Sequence, residues 1–393
     1  MHKIHTTLYR TKGFNKRIDV CQHHILTQTH YMTNAGNKTH FTEISIAKGI
    51  LIILMVIGHS GAPSLPCNFL YQFHMPCFFL ISGFLFKEKY LDKIGTFVGK
   101  RIKGLYIPFV KYSLVFLLLH NIFYHLHLYN NSYTLAEFIT RTLKILTLTG
   151  SEQLLGGFWF LKELLYASVI SIIFFKLISI IGIKLNKRVL FVSGILFLIL
   201  AYIASISPIK IPTIGSKTLL ATSYFIAGHL LRVLNLREHN DICIALCGFT
   251  ATFIASLFIK GGIGVSGVAM FPYFMVSIIG SVSTLYLSKS IVCKCGANIL
   301  DFIGKNTLSI LAFHFISFKI VSFIIIQLND WPINRLSEFP VLNDNNAYLW
   351  ILYTITGVTI PLIIKSLIDI IEESLISLYN KFTNRATNDT PKA

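Results

Sequence analysis

The residues able to do chemistry sit inside otherwise apolar stretches. In Lys48-Gly-Ile-Leu-Ile-Ile-Leu-Met-Val-Ile-Gly-His59-Ser60 a cation and an imidazole lie eleven residues apart. On an α-helix, eleven steps of about 100° end roughly 20° past three full turns, so both side chains share a face, about 16 Å apart along the axis. Ionisable groups inside apolar helices are costly and mark function by default. The plainer readings are that Lys48 snorkels to lipid headgroups and that His59 only caps its helix. A second segment, Phe73-His74-Met-Pro76-Cys-Phe78-Phe79-Leu-Ile-Ser82-Gly83, sets His74, Phe78 and Ser82 at i, i+4 and i+8 on one helix face. Two histidines at similar depth on adjacent helices suit a proton-handling or acyl-handling site, because imidazole titrates near neutrality. Glu163 is a further candidate; its neighbour Lys162 points about 100° away and need not pair with it. His229 reads as a headgroup-level residue. His314 lies deep in apolar sequence after Gly304-Lys305-Asn306-Thr307 and is expected to face the interior.

Other chemistries lack their residues. No phosphate-cradling glycine loop, GxSxG elbow or HExxH pair occurs, which argues against ATP-driven transport and soluble-type hydrolysis. Of seven cysteines, Cys243 and Cys247 share a helix face and Cys293-Lys-Cys295 lies in a basic loop. Neither pair has zinc-site spacing, so no metal is expected.

The elements that must position these groups are apolar helices. The chain is 53% hydrophobic and 13% charged, with mean hydropathy +0.64. Soluble domains carry about 25% charged residues, so this chain cannot coat a water-facing surface. Its net charge of +18 is spread thinly between apolar blocks, unlike the clustered basic face of a nucleic-acid binder; no nucleic-acid partner is expected. The runs are continuous rather than alternating, which excludes a barrel of strands. The fold class expected is an all-α polytopic membrane protein of about ten transmembrane helices in one bundle. The spans lie near 44–61, 68–86, 105–124, 158–182, 189–206, 216–235, 241–259, 268–288, 299–326 and 347–377. Pro76 should kink the second, and the last two are over-long. With the N-terminus inside, the inner loops hold twelve Lys and Arg and the outer loops five. That bias places both termini in the cytoplasm and the multi-pass chain in the cytoplasmic membrane, among lipids. Residues 1–40 read as a polar cytoplasmic tail without a signal peptide, with Met32 an alternative start. Residues 41–380 form the membrane domain and 381–393 a cytoplasmic C-terminal tail. Within the 125–157 loop, 133–148 reads as a surface helix.

The motifs carry a resemblance. AKGILIILMVIGHS (47–60), FHMPCFFLISGFLF (73–86), KRIKGLYIPF (100–109), FWFL (158–161), YFIAGHLLR (224–232) and FIGKNTLSILAFH (302–314) resemble the integral-membrane acyltransferase 3 family, in its branch of sugar O-acetyltransferases. The resemblance implies a ten-helix enzyme that takes acetyl, or another short acyl group such as succinyl, from cytoplasmic acyl-CoA. The acceptor is a hydroxyl of a cell-envelope polysaccharide or lipid-linked sugar. No tightly bound cofactor is implied; acyl-CoA is the donor substrate. The family's basic residue and histidine, eleven apart, fall on Lys48 and His59. Lys48 would guide the thioester, and His59 would act as general base or carry the acyl group. His74, Phe78, Phe79, Ser82, Gly83, Glu163 and His314 would wall the substrate and stabilise the oxyanion. The family often has Arg at position 48, an acidic residue at 45 and a basic residue at 104, where this chain has Lys48, Ser45 and Gly104. The CoA phosphates would therefore rest on Lys100, Arg101 or Lys103. A membrane exporter or flippase of a glycan or lipid-linked intermediate fits the spans and buried histidines as well.

Overall fold

The computed structural model describes residues 42–209, 213–235, 242–292, 294–343 and 348–388, and every regular element among them is helical. The expected N-terminal tail and Met32 lie outside the described residues. Among the described residues six helices are long and apolar enough to cross a membrane: Thr42–His59, Gln153–Ile180, Lys187–Ile206, Gly267–Ile291, Thr307–Leu328 and Leu349–Ser377. The other four expected spans are shorter, broken or more polar, so length and composition support six of the ten expected crossings among the described residues. The last expected span is one helix running on from Leu349 to Asn388, which carries it into the expected C-terminal tail.

The first helix, α1 (Thr42–His59), ends where Gly61 adopts φ +80°, a left-handed turn that glycine reaches without Cβ strain. The second expected span is two helices, α2 (Ser64–Tyr71) and α3 (His74–Phe84). Pro76 does not kink a continuous span. It occupies the first turn of α3, where its missing N–H has no intrahelical partner to lose. The expected 105–124 span is preceded by a helix, α4 (Ile94–Arg101), and entered through a π-helical turn at Ile102–Tyr106. It continues as α5 (Ile107–Leu118) and α6 (His120–His125). Helix α7 (Leu135–Leu146) matches the expected surface helix and starts in a capping box between Thr134 and Glu137.

Then come α8 (Trp159–Ile180), α9 (Lys187–Ile206), α10 (Ser216–Val233), α11 (Ile242–Ser256) and α12 (Met270–Ile291). The over-long 299–326 span resolves into α13 (Ala297–Lys305) and α14 (Thr307–Leu328), broken at Asn306, followed by α15 (Leu349–Asn388).

Glycines weld the helices that hold the site. A Cβ on Gly304 would fall 1.7 Å from the Ser45 carbonyl oxygen, and one on Gly49 2.2 Å from that of Leu300. Helices α1 and α13 therefore meet backbone to backbone. Gly83 and Gly228 do the same for α3 and α10, against the carbonyls of Phe225 and Leu80. Buried hydroxyls inside these apolar helices bond carbonyls of the preceding turn, as Thr222 does to Thr218, Ser171 to Ala167 and Thr284 to Gly280. These three side chains are thereby satisfied without water.

Candidate active site: two cavities back to back

Helix α1 lines two cavities in succession. The first, about 290 Å³, is bordered by Lys48, Ser82, Arg101, Gly104, Phe78 and Thr307. The second, about 280 Å³, is bordered by His59, His74, Tyr71, Trp159, Gly157 and Gly261. Both are also lined by Met55, Met75 and Leu311. The helical period thus carries one face of α1 from a cationic chamber to an imidazole chamber.

In the cationic chamber the Arg101 guanidinium donates to Ser82 Oγ at 2.9 Å and lies 4.9 Å from the centre of the Phe97 ring. The π-helical turn follows directly, and a Cβ on Gly104 would meet nothing within 4 Å. At the position where the resemblance led to the expectation of a basic side chain, this chain has open space. Of the three loop cations expected to hold phosphates, only Arg101 reaches the cavity. Lys100 donates to the Tyr90 hydroxyl at 2.8 Å, and this ammonium holds the Tyr90 phenol below its ordinary value. Lys103 is exposed.

In the imidazole chamber His59 makes no hydrogen bond with the described residues. Its ring lies 5.6 Å from that of His314 and 5.1 Å from that of Phe315. His74 Nδ1 donates to the Leu70 carbonyl at 2.8 Å, and His314 Nδ1 faces the carbonyls of Ile310 and Leu311 at 3.0 and 3.1 Å. A carbonyl only accepts, so both rings carry their hydrogen on Nδ1 and present Nε2 as an acceptor. His314 is fully buried, lines neither cavity, and its Nε2 has no hydrogen-bond partner among the described residues. Such atoms suit receiving a hydroxyl hydrogen. They do not suit donating to an oxyanion, the role expected of them. Tyr71 donates to the Gly58 carbonyl, fixing the turn of α1 that carries His59.

The structure redistributes the other expected wall residues. Ser82 belongs with Arg101, not with the histidines. Phe79 is fully buried against Phe160, and Gly83 is a helix-contact glycine. Glu163 accepts from Thr218 Oγ1 at 2.5 Å, and its other carboxylate oxygen forms an ion pair with Lys162 Nζ at 3.3 Å. It therefore pairs with the sequence neighbour that helix geometry did not require it to pair with. None of these three lines either cavity. His229, expected at headgroup level, is buried, with Nε2 3.3 Å from the Glu88 carboxylate.

Sequence reasoning passed over Tyr71, Trp159, Met55, Met75 and Leu311. A tryptophan near a helix start carries the general signal of a membrane-interface anchor, which points to lipid rather than to a cavity, and the apolar Met55, Met75 and Leu311 carry no signal of their own. Among the described residues no group of three His, Cys, Asp or Glu is placed to hold a metal ion.

Comparison with known proteins adds two findings. A family model described as an acyltransferase domain matches residues 41–366. The nodulation protein NolL of Mesorhizobium japonicum is 29% identical over 160 residues, which is 37% of this chain and 38% of that protein. The chain thus spans about two fifths of the length of that relative. No solved structure matches.

Proposed function

The chain belongs to the acyltransferase domain family, and from that premise we propose that it moves a short acyl group, acetyl first, from acyl-CoA to a sugar hydroxyl. The acceptor is a cell-envelope polysaccharide or a lipid-linked sugar. One observation carries the reading: the two cavities meet on a single helix, cations in one and, in the other, a histidine with no hydrogen-bond partner among the described residues. Lys48 and His59 are about 16 Å apart along the axis. A donor with a charged head and a reactive carbonyl at the end of a long, thin arm spans such a distance, and an acyl-CoA is built that way.

Arg101 and Lys48 neutralise the phosphate end of the donor, the guanidinium offering a fork of donors. Lys100 and Lys103 raise the positive potential at the mouth. The arm lies along Phe78, Phe160 and Leu164. At the far end His59 takes the proton of the acceptor hydroxyl as that oxygen attacks the thioester carbonyl, and returns it to the leaving thiolate. His74, which lines the same chamber, offers an Nε2 lone pair that orients hydroxyl hydrogens beside it, and the fully buried His314 backs the His59 ring from behind. Tyr71 and Trp159 present flat apolar faces with polar handles, on which a sugar ring can rest. The Lys48–Arg101 end lies toward the cytoplasm, where acyl-CoA is made, and both termini share that side of the cytoplasmic membrane.

The test uses membrane vesicles containing the full chain, radiolabelled acetyl-CoA and the host glycan. Base-labile label on glycan is expected from the wild type and is lost in His59→Ala. A wild type that labels nothing but moves glycan across the vesicle favours the exporter reading. Label trapped on His59 in the absence of acceptor makes that residue the acyl carrier rather than the base.

A further inference from the structure

The two cavities are separated by three side chains that belong to both. Met55 comes from α1, Met75 from α3 and Leu311 from α14, and they are 3%, 8% and 5% exposed. Each is held by a different helix, so together they close the passage from three sides. The two methionines are unbranched, with three rotatable bonds, and can turn aside without moving backbone. Leu311 is stiffer and leans on Gly157, where an added Cβ would sit 2.8 Å from its Cδ1. The septum is therefore soft on two sides and firm on the third.

We propose that Met55, Met75 and Leu311 form the septum through which the acyl group passes, and that they set the upper limit on its length. The proposal rests on the acyl-CoA reading above. The thioester enters from the Lys48–Arg101 side with its acyl tail leading, so the whole tail must clear the septum before the carbonyl reaches His59. Beyond it, about 280 Å³ must hold both that tail and the acceptor hydroxyl. In the transfer the thioester C–S bond breaks, a C–O bond to the acceptor forms, and the hydroxyl proton ends on the CoA sulfur. An acetyl group displaces the methionine tips alone. A chain of four or more carbons would have to displace all three side chains at once.

The test is acyl transfer from acetyl-, butyryl- and hexanoyl-CoA in vesicles, comparing wild type, Met55→Ala and Met75→Ala at matched membrane content. The wild type is expected to strongly prefer acetyl, and each variant to raise the butyryl-to-acetyl ratio at least tenfold. Leu311→Val, which removes one methylene, keeps the question open to measurement should the alanine variants fail to insert. Its ratio must rise as well, by a smaller factor. Variants that insert and transfer acetyl with an unchanged ratio overturn the septum and leave the acyl-CoA reading standing. A wild type that transfers no acyl group from any of the three donors overturns both.

Discussion

Two buried histidine sites in this molecule look alike in composition and differ in what is left free. His59 opens into a cavity and has no hydrogen-bond partner among the described residues. His120, at the start of α6, is tied at both nitrogens. Its Nδ1 lies 2.8 Å from a Glu152 carboxylate oxygen and its Nε2 3.0 Å from the Asn131 carbonyl. Tyr129 and Tyr133 stack on its two sides, with ring centroids at 4.4 and 3.3 Å. Both ring nitrogens of His120 are taken up by oxygen partners, so neither is left facing open space. Such a ring can hold a loop but cannot accept a proton from a substrate. A histidine with every valence satisfied and no space beside it is architecture. One with a free nitrogen facing space is available for chemistry.

The comparison breaks if the two variants behave alike. His59→Ala should lower acyl transfer by about 10²–10⁴-fold, the usual worth of a positioned general base, with membrane yield and thermal midpoint unchanged. His120→Ala should do the reverse. It strands the Glu152 carboxylate, 2% exposed, and breaking a buried pair in this way costs about 3–5 kcal/mol. The expected readout is a lowered unfolding midpoint in detergent and early proteolysis between residues 126 and 134, with transfer per folded molecule retained. Arg101 is the intermediate case, because it is bonded to Ser82 yet faces a cavity. Arg101→Lys keeps the charge and loses the fork. It should raise KM for acyl-CoA about tenfold, roughly 1.4 kcal/mol, and leave kcat near wild type.

The legible parts of this fold were those that periodicity encodes. Eleven residues bring Lys48 and His59 to one face, and the structure puts them on one line of cavities. The helix face shared by His74 and Ser82 was read correctly as well, but a face is not a depth. Eight residues rise about 12 Å, enough to put His74 in one chamber and Ser82 in the next. Gly83, one step further, turns about 100° away toward a neighbouring helix. Its sequence signature comes from backbone contact with Phe225 rather than from substrate. The break before His74 was hidden because Pro76 drew attention to itself while sitting harmlessly in a first turn. The septum was invisible because Met55, Met75 and Leu311 are apolar residues among apolar residues. His120 and Glu152 lie thirty-two positions apart, and no period links them.

The smallest effect sharpens the comparison at the surface. Arg335 donates to Glu338 through Nε at 2.6 Å, and Glu338 also accepts from the Asn343 backbone N–H at 2.6 Å. The Glu338 hydrogen bond from Arg335 holds its carboxyl below the ordinary value. A depressed carboxylate stabilises the segment above its unfolded value of about 4.3, and that contribution disappears as pH falls through the lower folded value. The pair is partly exposed, with about a quarter of each side chain open to solvent, so screening keeps its worth within about 0–1 kcal/mol. The Lys319 ammonium, buried in α14, holds the same segment through the Leu336 and Glu338 carbonyls. Arg335→Gln should therefore leave transfer unchanged at neutral pH. It should move the onset of acid-induced proteolysis at residues 333–343 slightly upward in pH. A shift as large as the one expected for His120→Ala would mean that exposure does not separate the two ion pairs, and that the tied region is uniform rather than graded from core to surface.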